Sequence, residues 1–272
     1  MGNFNWSTLC FEILAGRHYA YDNSWAGHGK HRMMDDFDRL YIVEEGEAFV
    51  REEGGGVTHV TPGRLCLFPG GSVARYYHCP STMTLSWLHF RIEAIPGISL
   101  FSHYAPPSSV KSANGYPELL RRLIKERDKN TPVGNVTAAG ILCQLVSRFI
   151  PDSWEEVFPC FDRAEQLRPA LVAIGQNPAK PLDLKAVAKS VSLHPVYFAS
   201  VFKKTFGVSP ARQRKKILMR KAKAMLEAGS LSVKDVAAAC GYDDPLYFSK
   251  SFSSFTGVSP KEYKKLKGRI GP

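Results

Sequence analysis

Three sets of side chains in this sequence have types that could do chemistry. One is His28, His31 and His78 with Glu44 or Glu45, which could hold a metal ion and activate a bound water. A second is Trp87 and His89, two apart in a run of β-forming residues and therefore on one face of a strand. An aromatic plane beside a polar group is a surface on which proteins bind sugars. The third set lies far downstream. There Val196, Ala199, Ser200 and Lys203 are answered 50 residues later by Leu246, Ser249, Lys250 and Ser253. Small, hydroxyl-bearing and cationic side chains on one helix face can meet base edges and phosphates. No Ser/His/Asp or Cys/His arrangement, phosphate-cradling glycine loop or acid pair of recognisable spacing accompanies them. The six cysteines form no Cys-x-x-Cys pair, which excludes a zinc ribbon or a thioredoxin-like site.

The chain has 272 residues, 44% apolar and 22% charged, enough for two domains with their own cores. Collagen-like, disordered and small disulfide-rich classes are excluded. The net charge of +11 is unevenly placed. Residues 161–272 carry 21 Lys and Arg against 8 Asp and Glu, whereas residues 1–160 carry 15 against 17. All the excess positive charge thus sits in the last two fifths, and nucleic acid is the partner it fits. The N-terminus lacks the basic start and apolar run of a signal peptide. The most apolar stretch, residues 136–150, is broken by Gln144 and Arg148 and is too short to span a bilayer. A soluble, cytoplasmic protein without a membrane partner is expected.

The elements that must position these residues can be read from pattern. Runs at 39–43, 47–51, 56–60, 64–68 and 85–92 are short, rich in β-formers and punctuated by Gly, Pro or acidic turns. They predict an antiparallel sandwich or barrel. A loop over 94–117 closes that block, and helices are expected at 118–129 and 136–149. The second helix is apolar around most of its circumference, through Val136, Ile141, Leu142, Leu145, Val146 and Phe149. Such a helix should be buried against the sheet or against another subunit. Residues 151–162, with Pro151 and Pro159, read as a linker.

Beyond the linker everything reads as helical, and the chain repeats itself. Pro195-Val-Tyr-Phe-Ala-Ser-Val-Phe-Lys-Lys-Thr-Phe-Gly-Val-Ser-Pro210 is matched at an offset of 50 by Pro245-Leu-Tyr-Phe-Ser-Lys-Ser-Phe-Ser-Ser-Phe-Thr-Gly-Val-Ser-Pro260. Upstream, Leu184-x-x-Val-Ala188 matches Val233-x-x-Val-Ala237 at an offset of 49, so the second copy has one extra turn residue. Each copy reads as helix, turn, helix. Gly241 should close the first helix of copy two in the left-handed conformation, with Asp243 or Asp244 capping the next helix and Pro245 in its first turn. In copy one Ser192 takes the glycine's place, at a cost of roughly 1 kcal/mol. On the second helices Phe198, Phe202 and Phe206, and then Phe248, Phe252 and Phe255, should anchor a core. That turns Val196, Ala199, Ser200, Leu246, Ser249 and Lys250 toward base edges, with Lys203, Lys204, Ser253 and Arg220 toward phosphates. The basic helix 210–229 between the copies would set the two reading helices into successive major grooves, roughly 34 Å apart.

These residues resemble the AraC family of bacterial transcription regulators. The resemblance rests on 193–204 with Gly207-Val-Ser-Pro210, and on Gly241-Tyr-Asp-Asp-Pro-Leu-Tyr-Phe-Ser-Lys-Ser-Phe252 with Gly257-Val-Ser-Pro-Lys-Glu-Tyr263. One departure stands out: the family often has Arg where Ser200 and Lys250 stand here. The resemblance implies a cupin-like β-barrel first, followed by dimerising helices, and residues 28–92 match that barrel more loosely. A cupin metal site has a His-x-His pair and a later His beyond a Pro-Gly turn. Here the spacing is His28-x-x-His31, and Ala74 stands where the later His would be. No metal or cofactor is expected, and a cupin-type metal enzyme fused to a nucleic-acid-binding domain is the alternative.

The expectation is an α+β chain: residues 1–155 form a cupin-like barrel with two helices for ligand sensing and dimerisation, and residues 156–272 form an all-α domain with two helix-turn-helix units. The implied function is sequence-specific regulation of transcription, without catalysis, in response to a carbohydrate-like effector held by Arg32, His31, Trp87 and His89. Arg32 stands where sugar-responsive relatives carry a ligand-binding Arg. The implied partners are double-stranded DNA, the effector, a second copy in a homodimer and, for an activator, RNA polymerase.

Overall fold

The computed structural model describes residues 9–22, 37–52, 55–70, 73–95, 97–102, 104–112, 115–153, 161–176 and 178–266. They part into two compact units, one of Leu9–Ile92 with Tyr104–Val157, the other of Glu93–His103 with Phe158–Gly271. The boundary expected at 155/156 is thus crossed by one segment, 93–103, which belongs with the helices.

The strands are β1 (Cys10–Tyr21), β2 (Asp38–Glu45), β3 (Ala48–Glu52), β4 (Val57–Val60), β5 (Arg64–Phe68), β6 (Val73–His78), β7 (Met83–Ile95), β8 (Ile98–Ser99) and β9 (Ser109–Lys111), and they build the first unit except for β8 and the last three residues of β7, which belong with the helices. One sheet runs β1-β7-β2-β5-β9 with β8 paired to β7, and a three-stranded sheet runs β4-β3-β6. Among the described residues the strands form two sheets rather than one closed ring. Pairing is antiparallel, with Tyr41 opposite both Trp87 and Cys66, and Arg39 opposite both His89 and Phe68. The period of two puts Tyr41, Val43, Cys66, Phe68, Leu85 and Trp87 on one face, where they form a single core. Leu40, Ile42, Leu67 and Leu88, of opposite parity, are equally buried, so the middle of β2, residues 40–43, is apolar and buried on both faces.

Two helices complete this unit, α1 (Tyr116–Asp128) and α2 (Pro132–Val146). The Arg127 guanidinium donates to the Gly16 carbonyl at 3.0 Å and ties α1 to β1. Thr131 caps α2 by accepting from the Gly134 N–H. The expectation that α2 is buried all round is corrected. Ala138, Ile141, Leu142, Leu145 and Val146 are buried, but Val136 is 74% exposed and Val133 lies exposed beside it. The loop expected over 94–117 also contains β8, β9 and a 3₁₀ turn at Leu100–Ser102. Strands β1 and β6 are additions to the sequence reading.

The second unit contains α3 (Phe161–Gln166), α4 (Arg168–Gln176), α5 (Leu184–Lys189), α6 (Pro195–Phe206), α7 (Pro210–Ala228), α8 (Val233–Ala239), α9 (Pro245–Thr256) and α10 (Pro260–Leu266). It holds two cores. Phe198, Phe202 and Phe206 of α6 pack with Leu167, Leu171, Ile174 and Val187. Phe248 and Phe252 of α9 pack with Met219, Leu226, Val236 and Tyr263. Helix α7 serves both, offering Ile217 to the first and Leu218, Met219, Ala222 and Leu226 to the second.

Candidate nucleic-acid interface and effector site

The two turns that lead into α6 and α9 have the same backbone design. Ser192 stands at φ 56° and Gly241 at φ 74°. After each, the next N–H returns to the first helix: Leu193 to the Ala188 carbonyl and Tyr242 to the Ala237 carbonyl, both at 3.0 Å. Ser192 therefore adopts the left-handed conformation expected of it, and its turn keeps the pattern of its glycine counterpart. The caps differ. Asp244 accepts from the Leu246 N–H at 2.8 Å, while the His194 side chain, at the same place in copy one, makes no capping bond. Asp244, not Asp243, is the cap.

From these starts both helices present the same face. Val196 is 74% exposed and Leu246 73%; the adjoining Tyr197 and Tyr247 are 53% and 64% exposed. Beneath them Phe198, Phe202, Phe248 and Phe252 are fully buried. Ser200, Lys203, Lys204 and Lys250 are exposed, and Ala199, Ser249 and Ser253 are half-buried. The Ser249 hydroxyl donates to the Pro245 carbonyl at 2.8 Å, which leaves its oxygen to accept from a base. Apolar tips of this kind suit thymine methyl groups, and exposed cations suit phosphates and guanine. Large apolar residues left in water on two helices of identical pattern mark a surface with a partner.

Arg220 is placed otherwise than the phosphate role assigned to it. Its guanidinium lies 2.5 Å from the Glu93 carboxylate, and the two side chains are only 19% and 13% exposed. Arg212, Lys215 and Lys221 are the exposed cations of α7. The sequence reading also passed over Tyr197 and Tyr247. Their signal was there, a Tyr repeated in register beside an anchoring Phe.

In the first unit Trp87 and His89 stand on the inward face, as their spacing requires, but as core residues rather than an open platform. Both are 3% exposed. The Trp87 indole N–H donates to the Tyr21 hydroxyl at 2.7 Å. The His89 ring lies between Phe37 and Trp87, at 4.5 and 4.6 Å between centroids. Its Nε2 has no hydrogen-bond partner among the described residues. Arg39 is buried on the same face, with its guanidinium over the Phe37 ring. Burial pushes the Cys66 thiol, on that face too, up to about 12. Arg32 and His31 lie outside the described residues. Of the metal set, so do His28 and the side chain of His78, while Glu44 pairs with Arg121 and accepts from Ser86.

His89 gives this face a pH signature. Burial first, and then the nearby positive charge of Arg39, hold its imidazole well below the ordinary histidine range. The unfolded chain takes up the proton below about pH 6.5 and the folded chain does not. Stability is therefore whole above that pH and is lost as pH falls below it, by about 1 kcal/mol per pH unit for one proton. Melting from pH 8 to 5 should show this decline, and His89→Phe should flatten it. The same slope in the variant would assign the titration to another group.

The comparisons with known proteins divide the chain in the same way. The AraC-like ligand binding domain family matches residues 16–146, and a helix-turn-helix domain family matches residues 187–266. The lactose operon transcription activator of Staphylococcus xylosus is 34% identical over 241 residues, 83% of this chain and 82% of that protein. The arabinose operon regulatory protein of Salmonella typhimurium is 26% identical over 235 residues, 83% of this chain and 82% of that one. Among solved structures, unsaturated fatty acid-bound ToxT from Vibrio cholerae superposes with a TM-score of 0.54, covering 97% of each chain at 12% identity, a likeness of fold. The chain belongs to the AraC family of transcription regulators, with a sheet-rich ligand-binding domain ahead of a double helix-turn-helix that binds DNA.

Proposed function

We propose that this regulator answers to a small carbohydrate bound on the inward face of the N-terminal sheet, and that its two reading helices enter successive major grooves of double-stranded DNA. The observation that carries the DNA reading is the exposure, in register, of Val196 with Leu246 and Tyr197 with Tyr247 on helices anchored by buried phenylalanines. The sugar is supported by the arabinose and lactose operons in the names of two relatives. Trp87 and His89, buried on that face, are proposed to take part once a sugar parts the core around them, the His89 Nε2 then meeting a hydroxyl. Arg32 and His31 are proposed to join them. Val196, Ala199, Ser200, Leu246, Ser249 and Lys250 read bases, and Lys203, Lys204 and Ser253 hold phosphates. Domains of 1–155 and 156–272, with the segment 93–103 joined to the second, carry the two tasks. A homodimer forms through α2. There Val133 and Val136 are exposed, and a Cβ on Gly140 would meet nothing within 4 Å, so a second helix can come close. As an activator the dimer contacts RNA polymerase in the cytoplasm. No catalytic step, metal or cofactor enters this reading.

The test is a thermal-shift series with arabinose, lactose, raffinose and oleate, paired with gel shifts on a promoter duplex at low salt. One sugar should raise the melting temperature, by an amount equivalent to about 2.7 kcal/mol at a hundredfold excess over its Kd. Arg32→Ala should remove that rise and leave the gel shift intact. Stabilisation by oleate and by no sugar would replace the carbohydrate with a fatty acid. A chain that shifts no duplex would overturn the DNA reading.

A further inference from the structure

The turn of the β7–β8 hairpin is built into the helical unit at three points. Glu93, near the end of β7, pairs with Arg220 of α7, and its other carboxylate oxygen accepts the Gly97 N–H at 2.6 Å. One acid thereby fixes both the turn and the helix. Gly97 stands at φ 80°, and its carbonyl accepts from the Gln213 amide at 3.1 Å, with Gln213 itself buried on α7. A Cβ at residue 97 would lie 2.4 Å from that amide nitrogen and would displace it, and at φ 80° an L side chain would itself be strained. Ile98 is 3% exposed in the core that holds Phe198, Phe202 and Phe206 of α6. The second core contains no residue of the hairpin among those described.

We propose that Glu93, Gly97 and Ile98 are positioning residues of the first DNA-reading helix. Ile98 fills the layer beneath α6, where close-packed interiors transmit even a methylene's change in volume. Glu93 holds α7 through a charge pair sheltered from water. Together they set how Val196 and Ser200 are offered to a groove. The second reading helix is anchored in a core that none of the three enters among the described residues. A reader cut from residue 161 onward lacks all three residues and reads DNA with its second unit alone.

The full chain tests this on a duplex that the wild-type protein selects from a random pool. Hydroxyl-radical footprints give separate protection for the two grooves, and Val196→Glu identifies the first unit's groove by erasing it. Glu93→Gln and Ile98→Ala should each raise the concentration that protects the first groove at least tenfold. Protection of the second groove should stay within threefold of wild type. Glu93→Arg should fail at the first groove in the same way, and Glu93→Arg with Arg220→Glu should recover it. Equal weakening at both grooves, or no change at either, would overturn the proposal, as would a loss at the first groove that the exchanged pair does not restore. If the arginine variants do not fold, Glu93→Gln decides by itself, since it keeps the shape and the acceptor for Gly97.

Discussion

Gly241→Ala is expected to unfold the second reading unit. Two penalties meet at this residue. At φ 74° an L side chain stands in the left-handed region, at a cost of about 1–2 kcal/mol. The added Cβ would also fall 2.1 Å from the Ala179 carbonyl oxygen and 2.9 Å from its carbon, both backbone atoms that cannot swing aside. Ala179 packs on the second core, so either that contact opens or the turn between α8 and α9 does. The sum should exceed about 3 kcal/mol, beyond the usual range for point changes. Circular dichroism melting with hydrogen exchange on residues 233–263 measures it. An alanine variant that melts with the wild type would show that the turn is not held as described. The matching change in copy one has the opposite sign. Ser192 pays the left-handed penalty already, so Ser192→Gly should gain up to about 1 kcal/mol.

Lys250→Ala is expected to reduce discrimination between DNA sites by about 1–3 kcal/mol, or roughly five- to 150-fold. Lys250 is exposed one turn into α9, on the face that carries Leu246 and Tyr247, where a long cation can reach guanine in the major groove. Ser200 occupies the same place on α6, and its short hydroxyl cannot make that contact. Base discrimination should therefore weigh more on the half-site of the second unit. Binding titrations against single-base variants at several salt concentrations separate the roles. A base contact loses affinity unevenly across sequences. A phosphate contact loses it evenly and lowers the salt slope by about one. The even loss would move Lys250 to the backbone-holding group beside Lys203 and Lys204.

What could be read from the sequence was local. The repeat, the glycine and serine turns, the proline starts and the phenylalanine spacing all act within a dozen residues, and α5 to α9 follow them closely. Five of the strands were legible because apolar runs sit between turn residues. Strand β1 was not, since its alternation is filled with Glu12, Arg17 and His18 and most of its residues are exposed or half-buried. Long-range partnership was the other blind spot. Arg220 looked like one more cation on a basic helix, and nothing near it in the chain announces Glu93, 127 residues earlier. Val136 looked like part of a buried circumference because apolarity says nothing of which side finds a partner. Trp87 and His89 were put on the right face, but their depth depends on how the strands pair and what closes over them.

The division of the reader into two cores bears on how such a protein changes over generations. Each core belongs largely to one helix-turn-helix, with α7 and the Ala179–Gly241 approach as the points where they meet. Substitutions far apart and without shared partners add nearly independently. With Val196 and Ser200 facing bases as proposed, a change at either would alter preference in one half of the operator and leave the other half's grip in place. A lineage can cross from one operator to another through intermediates that still bind, altering one half-site at a time. After a duplication the two units are free to drift apart in the side chains they expose while remaining alike in how they fold, as Ser200 and Lys250 have done above equivalent pairs of buried phenylalanines.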